Sequence, residues 1–194
     1  MYKIAVKNAK IQLRKQYRQH RNSLSKKLQQ QYSSVITQKI LDSALYQNSD
    51  TLFLYVSMND EVDTLKLIEY ALSDGKKVAV PYCIAENRKM EFYYIRSLQD
   101  LHKGYFGVSE PSPEICEKVC SKHGLIIVPA LGFDAKGYRM GYGMGYYDRY
   151  LTDFVGEKIG ICYSCCFRKC MIHDRFDKRV NYIITDKFTK FIAK

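Results

Sequence analysis

Apolar residues along this chain fall into two patterns. Short unbroken runs alternate with stretches in which apolar positions recur every three or four residues, the marks of strands buried on both faces and of amphipathic helices. Val6, Ala9, Leu13 and Tyr17 recur at helical spacing and predict a first helix over residues 4–19, with Ile11 off the stripe. Ser25 reads as the N-cap of a second helix whose apolar face is Leu28, Tyr32, Val35, Ile36 and Leu45. Residues 51–56 (TLFLYV) form a buried strand, and Leu65, Leu67, Ile68 and Leu72 belong to a helix that Asp74-Gly75 ends. Residues 77–80 form a short strand stopped by Pro81, and residues 89–95 another strand. The run Leu125, Ile126, Ile127, Val128 is a strand buried on both faces and closed by Pro129; helical spacing resumes over 146–151, and strands follow over 158–162 and 180–185. Such alternation predicts an α/β fold. We expect a single-domain three-layer α/β/α sandwich around a largely parallel or mixed sheet, with residues 1–45 as an N-terminal helical pair packed on the core.

Composition narrows this picture. A chain of 194 residues buries a proper core as one domain, and 46% hydrophobic with 26% charged residues is ordinary for a soluble globular protein. No apolar run approaches the roughly 18–20 residues needed to cross a membrane, and the N-terminus lacks the apolar core and cleavage site of a secretory signal. Seven cysteines make an odd count without the spacing of an extracellular framework, so free thiols and a cytoplasmic location are expected. The charge is lopsided: residues 1–40 hold ten Lys/Arg and no acid, while the remainder holds 21 basic against 20 acidic residues. That segment could meet nucleic acid, a membrane surface or a small polyanion, and composition does not choose among them.

The chemistry concentrates after the central strand. Phe133, Asp134 and Gly137 carry turn chemistry; then come Arg139, the alternate glycines Gly141, Gly143 and Gly145, and Tyr146-Tyr147-Asp148. Alternate glycines strip a loop of side chains, so its backbone can approach a phosphate and adopt positive φ. An arginine supplies a planar fork for phosphate, and an aspartate beside phosphates is a natural Mg²⁺ ligand. The loop is neither a Walker A motif, lacking Gly-Lys-Ser/Thr, nor a dinucleotide fingerprint, since Tyr146 stands where the third glycine is needed. On the first helix Lys7, Lys10, Arg14, Arg18 and Arg21 share a face. Like charges at that spacing repel slightly, so the face is either solvated or covered by something anionic. Glu61 heads a helix, where it either complements the helix dipole or faces a ligand beyond the end of a buried strand. Cys162, Cys165, Cys166, Cys170 and His173 crowd together without matching a zinc-site spacing.

The whole run GFDAKGYRMGYGMGYYDRYL, residues 132–151, resembles the signature of the 5-formyltetrahydrofolate cyclo-ligases, also called methenyltetrahydrofolate synthetases, and the resemblance extends over nearly the whole chain. It implies ATP-dependent, Mg²⁺-dependent closure of 5-formyltetrahydrofolate to 5,10-methenyltetrahydrofolate. Lys10 and Arg14, as K-x-x-x-R, resemble the family's contact with the ATP phosphates. Arg139, Gly141, Tyr142, Gly143, Met144, Gly145, Tyr146 and Tyr147 complete the implied ATP site, with Arg139 and Tyr147 as the catalytic pair. The segment SMNDEVDT, residues 57–64, resembles the folate-binding segment. On that likeness Glu61 meets the pterin's N–H edge, Val56 lines the pocket, Phe106 in GYFGVSEP borders it, and Tyr142 through Tyr146 touch both substrates. Asp148 and Asp177 match the Mg²⁺ positions. Met144 departs from the small or cationic residue often found there, leaving its contact to the backbone or to Tyr142. Arg18 and Arg21 are left as surface charge. The implied partners are a reduced folate and ATP, with the chain a monomer and no membrane attachment. Two rivals remain: a cyclo-ligase-like protein with a changed substrate, and a basic nucleic-acid-binding module, although no recognised RNA- or DNA-binding signature is present.

Overall fold

The structure, a computed structural model, describes the backbone of residues 2–104 and 107–193 and the side chains of residues 6–104 and 107–193. In chain order the helices are α1 (Tyr2–Asn22), α2 (Lys26–Leu41), α3 (Ala44–Gln47), α4 (Leu65–Ser73) and α5 (Tyr146–Tyr150). The strands are β1 (Thr51–Phe53), β2 (Lys77–Ile84), β3 (Lys89–Ile95), β4 (Leu101–Lys103), β5 (Ser109–Pro111), β6 (Leu125–Pro129), β7 (Gly132–Asp134), β8 (Arg139–Met140), β9 (Glu157–Ile161), β10 (Phe167–Arg168), β11 (Tyr182–Ile184) and β12 (Thr189–Phe191).

Seven strands form one mixed sheet in the order β12-β11-β9-β6-β1-β2-β3, parallel except at its two antiparallel edge pairs. The unbroken apolar run of β6 has the expected cause. Its side chains alternate, Ile126 and Val128 entering a core with Tyr17, Phe53, Phe133 and Phe154, and Leu125 and Ile127 a second core with Ile36, Ile40, Leu67 and Ile68. Helices α1 and α5 cover the first face and α2, α3 and α4 the second, giving the three expected layers.

Topology decides where a site can form. From β1 the chain crosses through α4 to β2 on one side, and from β6 it crosses through α5 to β9 on the other. β1 and β6 are parallel neighbours, so the crossovers part between them and leave a crevice beyond their carboxyl ends. Residues 54–62 and the β7–β8 hairpin with its glycine loop issue into that crevice.

Three expectations need correcting. Pro81 does not stop β2, which continues to Ile84 paired with β3. Ala79 accepts from Leu54 N–H on the β1 side. Pro81 faces the same way two residues later, where β1 has ended and no N–H is required. The second helix stops at Leu41, with Leu45 on the separate α3. Its buried face is Gln29, Ser33, Ile36, Thr37 and Ile40, while Leu28 and Val35 are exposed. Two of those polar residues have partners that offset their burial: Gln29 donates to the Arg21 carbonyl, and Ser33 Oγ meets the Tyr163 hydroxyl and accepts Asp63 N–H. Arg21, expected as surface charge, is only 2% exposed. Among the described residues no helix is long and apolar enough to cross a membrane.

Candidate active site

One cavity of about 2040 Å³ occupies the crevice. Its wall includes Lys10, Arg14, Val56, Glu61, Arg139, Asp148, Asp177 and the whole segment Gly141–Tyr147. Every candidate residue among those described is thus gathered around one space. Phe106 lies outside the described residues.

Helix α1 forms one wall. Tyr17 is fully buried and packs so closely on Gly132 that a Cβ there would lie 2.6 Å from its ring. This docking points the basic stripe across the glycine loop. Arg14 Nε donates to the Gly141 carbonyl at 2.9 Å, and its guanidinium lies 3.3 Å from where a Cβ on Gly143 would stand. Gly143 also has φ +107, a conformation that side chains rarely allow. One turn earlier, Lys10 Nζ donates to Asp177 at 2.7 Å and to Asp174 at 2.8 Å. Burial opposes the Lys10 charge, but the two carboxylates outweigh it and raise its pKa above the ordinary lysine value. The Lys10 hydrogen bond holds Asp174 below the usual aspartate value.

The floor is the β7–β8 hairpin. Asp134 closes its turn by accepting Lys136 and Tyr138 N–H, both at 3.0 Å, while its other oxygen accepts Met171 N–H at 3.0 Å. Arg139 then enters the site nearly buried. Its Nη2 lies 2.8 Å from Asp148 Oδ2, its guanidinium sits 5.5 Å from the Tyr147 ring centroid, and its buried Nε has no partner among the described residues. A Cβ on Gly141 would stand 2.6 Å from Arg139 Nη1, so a side chain there would have to displace the guanidinium. Asp148 Oδ1 accepts Lys178 N–H at 3.2 Å, which brings it beside the segment carrying Asp177. The buried Tyr147 hydroxyl has no hydrogen-bond partner among the described residues. Burial pushes its pKa well above the ordinary tyrosine value, which favours the neutral hydroxyl.

The other end of the cavity belongs to Glu61. Its carboxylate accepts the Tyr142 hydroxyl at 2.7 Å and Met58 N–H at 3.1 Å, and its backbone carbonyl accepts the Tyr163 hydroxyl at 2.9 Å. Burial raises the pKa of Glu61, with the Tyr142 hydrogen bond and the Arg21 charge working against that rise. Tyr55 and Val56, expected within the strand over 51–56, are buried in the segment that follows β1, which ends at Phe53.

Sequence reasoning missed three features. Arg21 lies beneath Tyr142, a position hinted at only by its continuing the stripe from Arg14 and Arg18. Tyr138 and His173 stack at 3.7 Å within the cavity wall, and no spacing rule links them. Asp174 joins Asp177 on Lys10, a pairing across 164 residues that no local spacing signals. Among the described residues all seven cysteines are free, Cys162 and Cys166 within the core. No group of three or more His, Cys, Asp or Glu among those residues is placed to hold a metal ion.

Comparison with known proteins bears on the chain as a whole. The model of the 5-formyltetrahydrofolate cyclo-ligase family matches residues 6–186. The mouse 5-formyltetrahydrofolate cyclo-ligase is 33% identical over 146 residues, 72% of each chain, and a probable 5-formyltetrahydrofolate cyclo-ligase of Caenorhabditis elegans is 29% identical over 141 residues, 70% of this chain and 68% of that one. Among solved structures, the 5,10-methenyltetrahydrofolate synthetase of Aquifex aeolicus superposes with a TM-score of 0.84 at 29% identity, covering 95% of this chain and 93% of its own. That of Mycoplasma pneumoniae gives 0.69 at 26% identity, covering 91% and 98%. With the family model spanning the fold from the first helix to the last parallel strand, the chain belongs to the 5-formyltetrahydrofolate cyclo-ligase family.

Proposed function

We propose that this protein converts 5-formyltetrahydrofolate and ATP to 5,10-methenyltetrahydrofolate, ADP and phosphate in the cleft between α1 and the glycine loop. The observation that carries the reading is the shared cavity: Lys10 and Arg14 face Gly141–Gly145 across it, with Glu61 farther along the same wall. Lys10 and Arg21 are eleven residues apart on α1, about 16 Å of helix axis, enough for a triphosphate at one end and a pterin at the other.

A formamide carbonyl is a poor electrophile, and its oxygen a poor leaving group. Attack by that oxygen on the γ-phosphorus breaks the bond to ADP and leaves a phosphorylated formyl group. The folate's N10 then attacks the formyl carbon, forming the new C–N bond, and phosphate departs with the formyl oxygen while N10 gives up its proton. Phosphoryl transfer asks the protein chiefly for positioning and charge neutralisation. Lys10, Arg14 and Arg139 supply positive charge, and the buried Tyr147 hydroxyl, with no partner among the described residues, can donate to an oxygen of the substrates. Glu61 takes the pterin's N–H groups and fixes the formyl group relative to the phosphates. No nucleophilic side chain is needed, so the reaction asks no catalytic role of the cysteines.

Asp148 and Asp177 line the same cavity as the cations assigned to the phosphates, which suits a Mg²⁺ ion held jointly by protein and phosphate oxygens rather than by an all-protein cage. Asp148 and Asp177 would hold it, and when bound it neutralises charge developing on the transferring phosphoryl group. Each is ion-paired with a cation assigned to the phosphates, Asp148 with Arg139 and Asp177 with Lys10. A metal–nucleotide complex would exchange those pairs, cations to phosphate and carboxylates to metal. The inward bonding of Lys10, Arg14 and Arg21 takes three charges out of the basic face that a nucleic-acid reading needs. The test is absorbance of methenyltetrahydrofolate formed from 5-formyltetrahydrofolate with and without ATP. Formation only with ATP is expected, and its absence under saturating substrates refutes the reading.

A further inference from the structure

Arg21 is 2% exposed, in the last turn of α1. Its Nη1 donates to the Tyr142 hydroxyl at 3.2 Å, and that hydroxyl donates in turn to Glu61 Oε1 at 2.7 Å. Its Nη2 donates to the Ala130 carbonyl, at the end of the central strand. Asp60 Oδ2 stands 3.9 Å away, too far for a close charged hydrogen bond. A buried guanidinium is costly unless its charge is used, and a carbonyl and a phenol could be bridged by a neutral group. What the charge uniquely offers is stabilisation of the carboxylate one hydroxyl away. Around that carboxylate burial favours the protonated form and Asp60 adds a like charge, while Met58 N–H, the Tyr142 hydroxyl and Arg21 favour the anion. The other titratable groups nearby, Tyr55, Tyr147 and Tyr163, have raised pKa values and are neutral at physiological pH.

We propose that Arg21 is the positioning residue of the folate end of the cleft: through the Tyr142 hydroxyl and by its own charge it holds the Glu61 carboxylate in place as an anion. This rests on Glu61 being the pterin's partner. Arg21 touches no substrate and acts only through Tyr142 and Glu61. Helix α1 then serves both substrates, its first half at the phosphates and its last turn at the pterin.

The test compares Arg21→Met, Arg21→Lys, Tyr142→Phe and Glu61→Gln. Urea unfolding checks the fold, equilibrium titration gives 5-formyltetrahydrofolate and ATP affinities, and carbon-13 NMR follows the Glu61 carboxyl. Arg21→Met is expected to weaken folate binding about tenfold or more while ATP binding stays within about twofold. The Glu61 midpoint should rise by about one pH unit. Arg21→Lys should restore that midpoint but only part of the affinity, because an ammonium lacks the fork that reaches both Tyr142 and Ala130. Losses in Arg21→Met and Tyr142→Phe should be less than additive in the double variant. A folded Arg21→Met with an unmoved Glu61 midpoint, or with equal losses for folate and ATP, overturns the proposal. Should Arg21→Met not fold, Tyr142→Phe decides, since it cuts the same relay, and an unmoved Glu61 midpoint there is equally fatal. Undiminished folate affinity in Glu61→Gln removes the pterin assignment and this proposal with it, whereas a crippled Glu61→Gln beside an unaffected Arg21→Met removes the role of Arg21 alone.

Discussion

Replacing Asp148 with Asn separates a carboxylate's work as a metal ligand from its work as a counter-ion. The pair it forms with Arg139 spans 2.8 Å, with the arginine side chain 6% and the aspartate 20% exposed. The other carboxylate oxygen accepts Lys178 N–H at 3.2 Å. Asparagine keeps an oxygen for one of these bonds and loses the charge. Removing one partner of a buried pair costs about 3–5 kcal/mol. The partial exposure of Asp148 and the surviving amide hydrogen bond reduce that to about 1–3 kcal/mol of folding stability. The effect on nucleotide binding should have the opposite sign. Arg139, whose Nε has no partner among the described residues, is released toward the phosphates and no longer shares its site with an anion. ATP binding without Mg²⁺ should therefore hold or strengthen, while Mg²⁺-dependent turnover falls by about a hundredfold or more. Urea unfolding, calorimetric titration of ATP with and without Mg²⁺, and the methenyltetrahydrofolate absorbance assay read the three quantities. Near-normal turnover with unchanged Mg²⁺ dependence would refute the ligand role. Loss of metal-free ATP affinity in step with turnover would refute the opposed-charge reasoning.

Three further outcomes are expected. Glu61→Gln should weaken 5-formyltetrahydrofolate binding about thirtyfold or more and ATP binding about threefold at most, because it removes a charged acceptor from one end of the cleft only; equal losses in paired titrations would count against the pterin role. The same variant tests the pH dependence of stability. Burial raises the folded pKa of Glu61 above 4.5, so its contribution is fully present below that value and is lost as pH rises through the folded value. Wild type should lose stability relative to Glu61→Gln across that window and run parallel to it above, and urea midpoints drifting the other way would refute the assignment. Gly141→Ala places a Cβ 2.6 Å from Arg139 Nη1 and must push the guanidinium aside. It should lower ATP affinity about tenfold at a folding cost of about 1–3 kcal/mol, and wild-type affinity in calorimetry would show that Arg139 does not hold the phosphates from its observed place.

Much of this molecule was legible before folding because it is written locally. The run of β6 had to be buried on both faces, since its side chains point alternately to two sides and all are apolar. The glycine loop announced itself because Gly141 and Gly143 are adjacent to what excludes a side chain, Arg139 by sequence and positive φ by turn geometry. Which helix face docks is a different kind of fact. The apolar stripe of α2 pointed to Leu28 and Val35, yet the buried face carries Gln29 and Ser33, because the neighbours brought beside it offer hydrogen bonds as well as apolar surface. Arg21 looked like solvated charge for the same reason: its spacing tells that it shares a face with Arg14, and only the seating of Tyr17 on Gly132 turns that face into the cleft. The bond between Tyr142 and Glu61, 81 residues apart, exists because β1 and β6 are neighbours whose crossovers part to opposite sides. Backbone geometry repeats along a chain and can be read from it, whereas partners across a crevice are set by strand order, to which no local spacing corresponds.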